Sequence, residues 1–161
     1  NGSSAISTTS ILPVAKGGTG SASQSGALNN LGLPKESGNW TPSINASGVS
    51  YQSRSGYYHR IGNMVYIFCY LLMNITNAGS DYAKISGLPF SAHTGLKAGF
   101  ELIDTGNLAM IPAGGTTSHA SFINSWGGTS IGIRTADGAV AQKWSTGNNR
   151  YLSFSGWYVK A

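Results

Sequence analysis

The chain has 161 residues, room for one compact domain and a short appendage. Only 9% of its residues are charged and 23 are glycine, where an average domain is roughly a quarter charged and about 7% glycine. Polarity without charge, broken often by turns, suits many short strands and leaves no stretch fit for a long helix. The charge of +5 comes from dispersed Lys and Arg, so no basic cluster marks a nucleic-acid partner. The single cysteine, Cys69, excludes an internal disulfide and a cysteine-based metal site.

Residues 1–11 are small, polar and extended by expectation. Pro13 and the Gly17–Gly20 cluster then predict an irregular turn. Ser21 or Ser23 is placed to cap a short helix with Ala27, Leu28 and Leu31 on its apolar side and Gly32 as its stop. So small a helix is marginal alone and needs partners beside it. Residues 34–38, Pro-Lys-Glu-Ser-Gly, predict a hinge, and Asn39-Trp40-Thr41-Pro42 opens the main domain.

Residues 55–73 predict a β-hairpin turning at Gly62-Asn63. Its second arm is apolar on both strand faces. Val65, Ile67, Cys69, Leu71 and Met73 point one way, and Met64, Tyr66, Phe68, Tyr70 and Leu72 the other. A strand exposed on one face alternates apolar with polar. This one is expected to be covered twice, by another sheet and by a neighbouring copy of the chain. Loops folded over an ordinary monomeric sandwich are the plainer alternative. The run Met64–Met73 is too short to span a bilayer, and Cys69 in its middle reads as a buried, inert thiol.

Beyond a turn at 74–80, strands are predicted over 82–88, 96–104, 108–112, 120–126, 130–135, 139–144 and 151–159. Short strands at this spacing indicate an all-β sandwich or barrel. Phe154, Trp157 and Tyr158 near the end indicate that the last strand is docked.

Two stretches carry a resemblance. Leu12-Pro13-Val14-Ala15-Lys16-Gly17-Gly18-Thr19-Gly20, a Ser/Ala-rich spacer and the ending Ala27-Leu28-Asn29-Asn30-Leu31-Gly32-Leu33 resemble a repeat of tail-fibre proteins of tailed bacteriophages. Gly38-Asn39-Trp40-Thr41-Pro42, followed by Tyr57, Arg60-Ile61-Gly62-Asn63 and Val65-Tyr66, is similar to C-terminal domains of such fibres. The resemblance implies a homotrimer with an intertwined, extended and helical shaft segment over 1–38 and a β-sandwich-like tip domain over 39–161. It further implies a place at the distal end of a tail fibre in the virion. The partners would be the rest of the fibre and a bacterial surface glycan, such as lipopolysaccharide O-antigen, or an outer-membrane protein.

The residues offer little for catalysis. Asp81, Glu101, Asp104 and Asp137 are the acids of the main domain, and Glu101 and Asp104 lie three apart on one predicted strand, hence on opposite faces. His59, His93 and His119 are isolated, no Gly-x-Ser-x-Gly elbow is present, and Gly17–Gly20 lacks the Lys-Ser/Thr of a phosphate loop. No catalytic residue, cofactor, metal or membrane insertion is expected. A polysaccharide-degrading tailspike-type domain and a purely structural fibre domain are the rival readings. Binding is better supplied, since sugars stack on aromatic rings and pair with amides. The expected receptor-binding residues are Trp126, Trp144, Arg150, Asn148, Asn149, Asn124, His119 and Tyr82, on loops and strand ends. Trp40, Trp157 and Tyr158 are expected to pack in the core or between chains, and for Trp126 and Trp144 such packing stands as the alternative to binding.

Overall fold

A computed structural model describes residues 11–16, 18–94, 97–102, 110–112, 122–125, 128–134 and 142–161. The fold is mostly β. A 3-10 turn at Val14–Lys16 and one helix, α1 (Gln24–Asn30), precede the strands β1 (Lys35–Trp40), β2 (Ser43–Ile44), β3 (Gly48–Ile61) and β4 (Met64–Asn77). Then come β5 (Lys84–Ser86), β6 (Lys97–Leu102), β7 (Met110–Pro112), β8 (Phe122–Ser125), β9 (Ser130–Arg134), β10 (Gln142–Trp144) and β11 (Gly147–Val159). Ser23 caps α1, its side chain accepting from the Gly26 N–H, and no residue of the helix is buried.

Among the described residues, nine strands form one antiparallel sheet in the order β1-β3-β4-β11-β6-β8-β9-β5-β2, with β10 and β7 paired separately. The edge strands β1 and β2 are consecutive in the chain, joined only by Thr41-Pro42. Two residues cannot span a flat sheet of that width, so the sheet curls until its edges meet. The core fills the inside of the curl. Val65, Ile67, Cys69, Leu71, Met73 and Ile75 of β4 join Trp40, Phe100, Ile131, Trp144, Leu152, Phe154 and Tyr158 there.

Two local features set the hairpin that dominates the sheet. Gly62 takes a positive φ of 59°, as the first residue of a tight two-residue turn requires. Gly56 makes room for Trp40, whose indole N–H lies against the carbonyls of Tyr57 and Phe68 at 3.3 and 3.2 Å. A Cβ at Gly56 would stand 2.5 Å from that indole nitrogen.

The expected hinge is a strand from Lys35 onward. β1 pairs residue for residue with β3, from Lys35 opposite Ile61 to Trp40 opposite Gly56. The expected division between residues 38 and 39 therefore falls inside a strand. The Tyr58 ring accounts for part of this. It lies over Gly38, where a Cβ would come within 2.9 Å of it.

Candidate interaction face

Residues directly opposite in an antiparallel pair share a face, so the register assigns the outer surface of the β1-β3-β4-β11 quarter. Across β3, β4 and β11 the rows run Ile61–Met64–Val159, His59–Tyr66–Trp157, Tyr57–Phe68–Ser155, Ser55–Tyr70–Ser153 and Ser53–Leu72–Tyr151. Asn74 follows, opposite Ser50. On β1, Lys35, Ser37 and Asn39 lie opposite Ile61, His59 and Tyr57 on the same face.

The face changes character along its length. Ile61, Met64, Tyr57, Tyr66, Phe68 and Trp157 are 38–55% exposed, an aromatic surface that no part of the described chain covers. The partner set on β4, from Val65 to Ile75, is at most 1% exposed. The two faces of one strand thus end in opposite environments.

The apolar rows lie next to the N-terminal segment. The Gly62 N–H donates to the Pro34 carbonyl at 2.9 Å, and the Lys160 N–H to the Asn63 carbonyl at 2.8 Å. Within that segment Ile11, Leu12, Val14, Leu31 and Leu33 are also exposed. Beside it, Glu36 accepts from Arg60 at 3.1 Å and from the Tyr58 hydroxyl at 2.9 Å. That bond to the carboxylate holds the Tyr58 phenol above its ordinary pKa, with desolvation adding to it. Arg60 and Lys160 lie 5.1 and 5.5 Å from the Phe90 ring centroid, and Tyr58 meets the same ring edge-on. These contacts close the core at the hairpin end.

The other end is polar. Gln52 Nε2 donates to Asn74 Oδ1 at 3.0 Å and to Asn149 Oδ1 at 2.9 Å, and the Asn149 backbone N–H donates to Asn74 Oδ1 at 2.9 Å. Register shifts in β3 between Tyr51 and Ser53, and in β11 between Gly147 and Arg150, flank Asn74 on both sides.

The sequence-predicted site residues are dispersed. Trp144 is 2% exposed and donates its indole N–H to Asn45 Oδ1 at 2.6 Å. It ends β10 and packs in the core instead of projecting towards a receptor, a correction whose cause is the distant Asn45. Arg150 folds back, with Nε and Nη2 donating to the Thr146 carbonyl at 3.1 and 2.7 Å. Asn148 and Asn149 are exposed at the start of β11, and Asn149 joins the amide cluster. Tyr82 is exposed and lies just before β5, close to Asn45, which donates to its carbonyl. Asn124 sits in β8 opposite Lys97 and Gly132, while Trp126 and His119 lie outside the described residues. Gln52 and Asn74 were not expected as site residues; the bulges that bring them together carry no sequence signature.

Among the described residues, no group of three His, Cys, Asp or Glu is placed to hold a metal ion, and no helix is long and apolar enough to cross a membrane. No protein-family model, curated protein or solved structure matches the chain.

Proposed function

We propose that this chain is the receptor-binding end of a bacteriophage tail fibre, non-enzymatic, working as a homotrimer at the distal end of the virion's fibre. One observation carries the reading. A single sheet face is apolar beside the N-terminal segment and polar, rich in amides and tyrosines, at its far end. At roughly 150–250 Å2 per aromatic side chain, the six exposed residues of the apolar rows leave on the order of 500 Å2 of apolar surface in water. That is the upper range of a monomer's largest patch. Adding the five exposed apolar residues of the N-terminal segment brings the total near the ~800 Å2 per partner of a stable interface. Neighbouring copies of the chain are the occupant we assign to it. Residues 12–33, similar to a tail-fibre shaft repeat, supply the parallel arrangement.

With the apolar rows covered, the polar end is left for a bacterial surface glycan or an outer-membrane protein. Three weak sites on one rigid tip raise avidity by roughly 10²–10⁴ without new contacts. Fluorescently labelled protein applied to a panel of bacterial cells tests the function. Binding to some strains, lost on mutants lacking O-antigen or an individual porin, is expected. Absence of binding to every strain, or loss of polysaccharide viscosity on incubation, contradicts it.

A further inference from the structure

We infer that Gln52, Asn74 and Asn149 form a site for a neutral, polyhydroxylated sugar; this rests on the receptor-binding reading and names the receptor's chemistry. The amide orientations follow from one bond. A backbone N–H can only donate, so the atom of Asn74 that meets the Asn149 N–H, 2.9 Å away, is the oxygen. The Gln52 atom facing that oxygen is then the nitrogen, and the Asn149 atom facing the same nitrogen is an oxygen. The outcome is a fixed set. Asn74 turns its NH2 group away from the shared bonds and Gln52 turns its carbonyl oxygen away, one donor and one acceptor in the cluster. Adjacent sugar hydroxyls, each able to donate and accept, match such a pair.

Two further observations point to a built site. Bulges on both strands beside Asn74 turn Gln52 and Asn149 towards it, and bulges commonly re-aim a side chain at functional positions. Asn149 is the one non-glycine residue of the described chain with a positive φ, at 52°. Such conformations persist where surrounding structure holds them and cluster at ligand clamps. The next rows of the face bring Tyr151 and Tyr70, whose rings suit the C–H face of a sugar.

Among the described residues, the two arginines nearest in sequence, Arg54 and Arg150, are engaged elsewhere. Arg54, opposite the buried Leu71, lies over the Tyr51 ring at 4.7 Å, and Arg150 is held on the Thr146 carbonyl. An uncharged glycan fits better than a phosphorylated one. The site lies roughly 30 Å along β4 from Met64 at the usual strand rise, beyond the apolar rows.

The test uses the full chain with Asn149→Gly and Gln52→Ala. Glycine accepts the positive φ and keeps the backbone N–H bond to Asn74, so Asn149→Gly retains its melting temperature and association state. The probes are a panel of immobilised neutral O-antigen polysaccharides, and bacterial cells before and after periodate oxidation. Wild type is expected to bind at least one polysaccharide and to lose cell binding after periodate. Gln52→Ala is expected to weaken monovalent binding about two- to tenfold, the worth of one neutral hydrogen bond. Asn149→Gly is expected to weaken it by releasing the Gln52 amide that Asn149 holds, each variant with a larger loss on cells. Unchanged binding by both variants overturns the site. Cell binding that survives periodate, with no polysaccharide bound, overturns the sugar assignment and leaves the fibre reading standing. No binding to any cell overturns both.

Discussion

The indole N–H of Trp144 donates to Asn45 Oδ1 at 2.6 Å, tying β10 to the link between β2 and β3. The same oxygen accepts the Lys84 N–H at 2.9 Å, and Asn45 Nδ2 donates to the Tyr82 carbonyl at 2.9 Å. One amide therefore holds three segments. Trp144→Ala is expected to cost about 3–5 kcal/mol, as for other buried large-to-small changes. Asn45→Leu strands a buried N–H and is expected to cost about 1–3 kcal/mol. Urea unfolding of each variant checks both. An unchanged midpoint for Trp144→Ala would contradict its place in the core.

Tyr158 makes folding sensitive to alkali. Its hydroxyl donates to the Phe90 carbonyl at 3.0 Å and accepts the Phe90 N–H at 3.3 Å. Burial pushes the phenol from 10.0 up to about 12. The folded state thus holds this proton more tightly than the unfolded chain. Its contribution is fully present below pH 10 and falls away as pH rises from 10 towards 12. Urea midpoints across that range are expected to decline, and Tyr158→Phe to decline less steeply from a lower starting stability. Tyr58 shifts in the same direction, so part of the slope persists in the variant. Equal slopes in the two proteins would contradict the burial of Tyr158.

Cys69 reports on the inner face of β4. It is fully buried, and desolvation raises its thiol far above the ordinary value, so native protein offers neither access nor thiolate. Thiol reagents of either charge are expected to label it only after unfolding, at a rate that follows urea concentration. Fast labelling of native protein would mean that this face is open.

Much of the fold was legible because β4 is long and strongly patterned. Period two separates Val65, Ile67 and Cys69 from Met64, Tyr66 and Phe68, and the structure places the first set inside. The same pattern does not say what lies against the second set, since a strand's sequence specifies its own faces and not their neighbours. The start of β1 reads as a hinge in the sequence because Lys35-Glu36-Ser37-Gly38 has no β-former. Pairing with β3, and the Tyr58 ring over Gly38, override propensity there. β11 likewise starts at Gly147, ahead of the expected residue 151, since pairing with the end of β4 recruits two asparagines. Trp144 turns inward for a related reason. Its place beside the Gly147-Asn148-Asn149 loop leaves projection and packing both open, and the contact that decides for packing comes from Asn45, far away in sequence.

The apolar rows of the open face give the account its centre, and solution mass reads them most directly. Light scattering of the wild-type chain at micromolar concentration is expected to give three times the chain mass. Tyr66→Asp and Met64→Glu put charge on the outer face of β4 without touching the set from Val65 to Ile75. Each is expected to yield a folded protein of lower mass, with Cys69 still protected from thiol reagents. A wild-type chain that is folded and monomeric at that concentration, or a trimer that both substitutions leave intact, would contradict the assignment of this face to neighbouring copies.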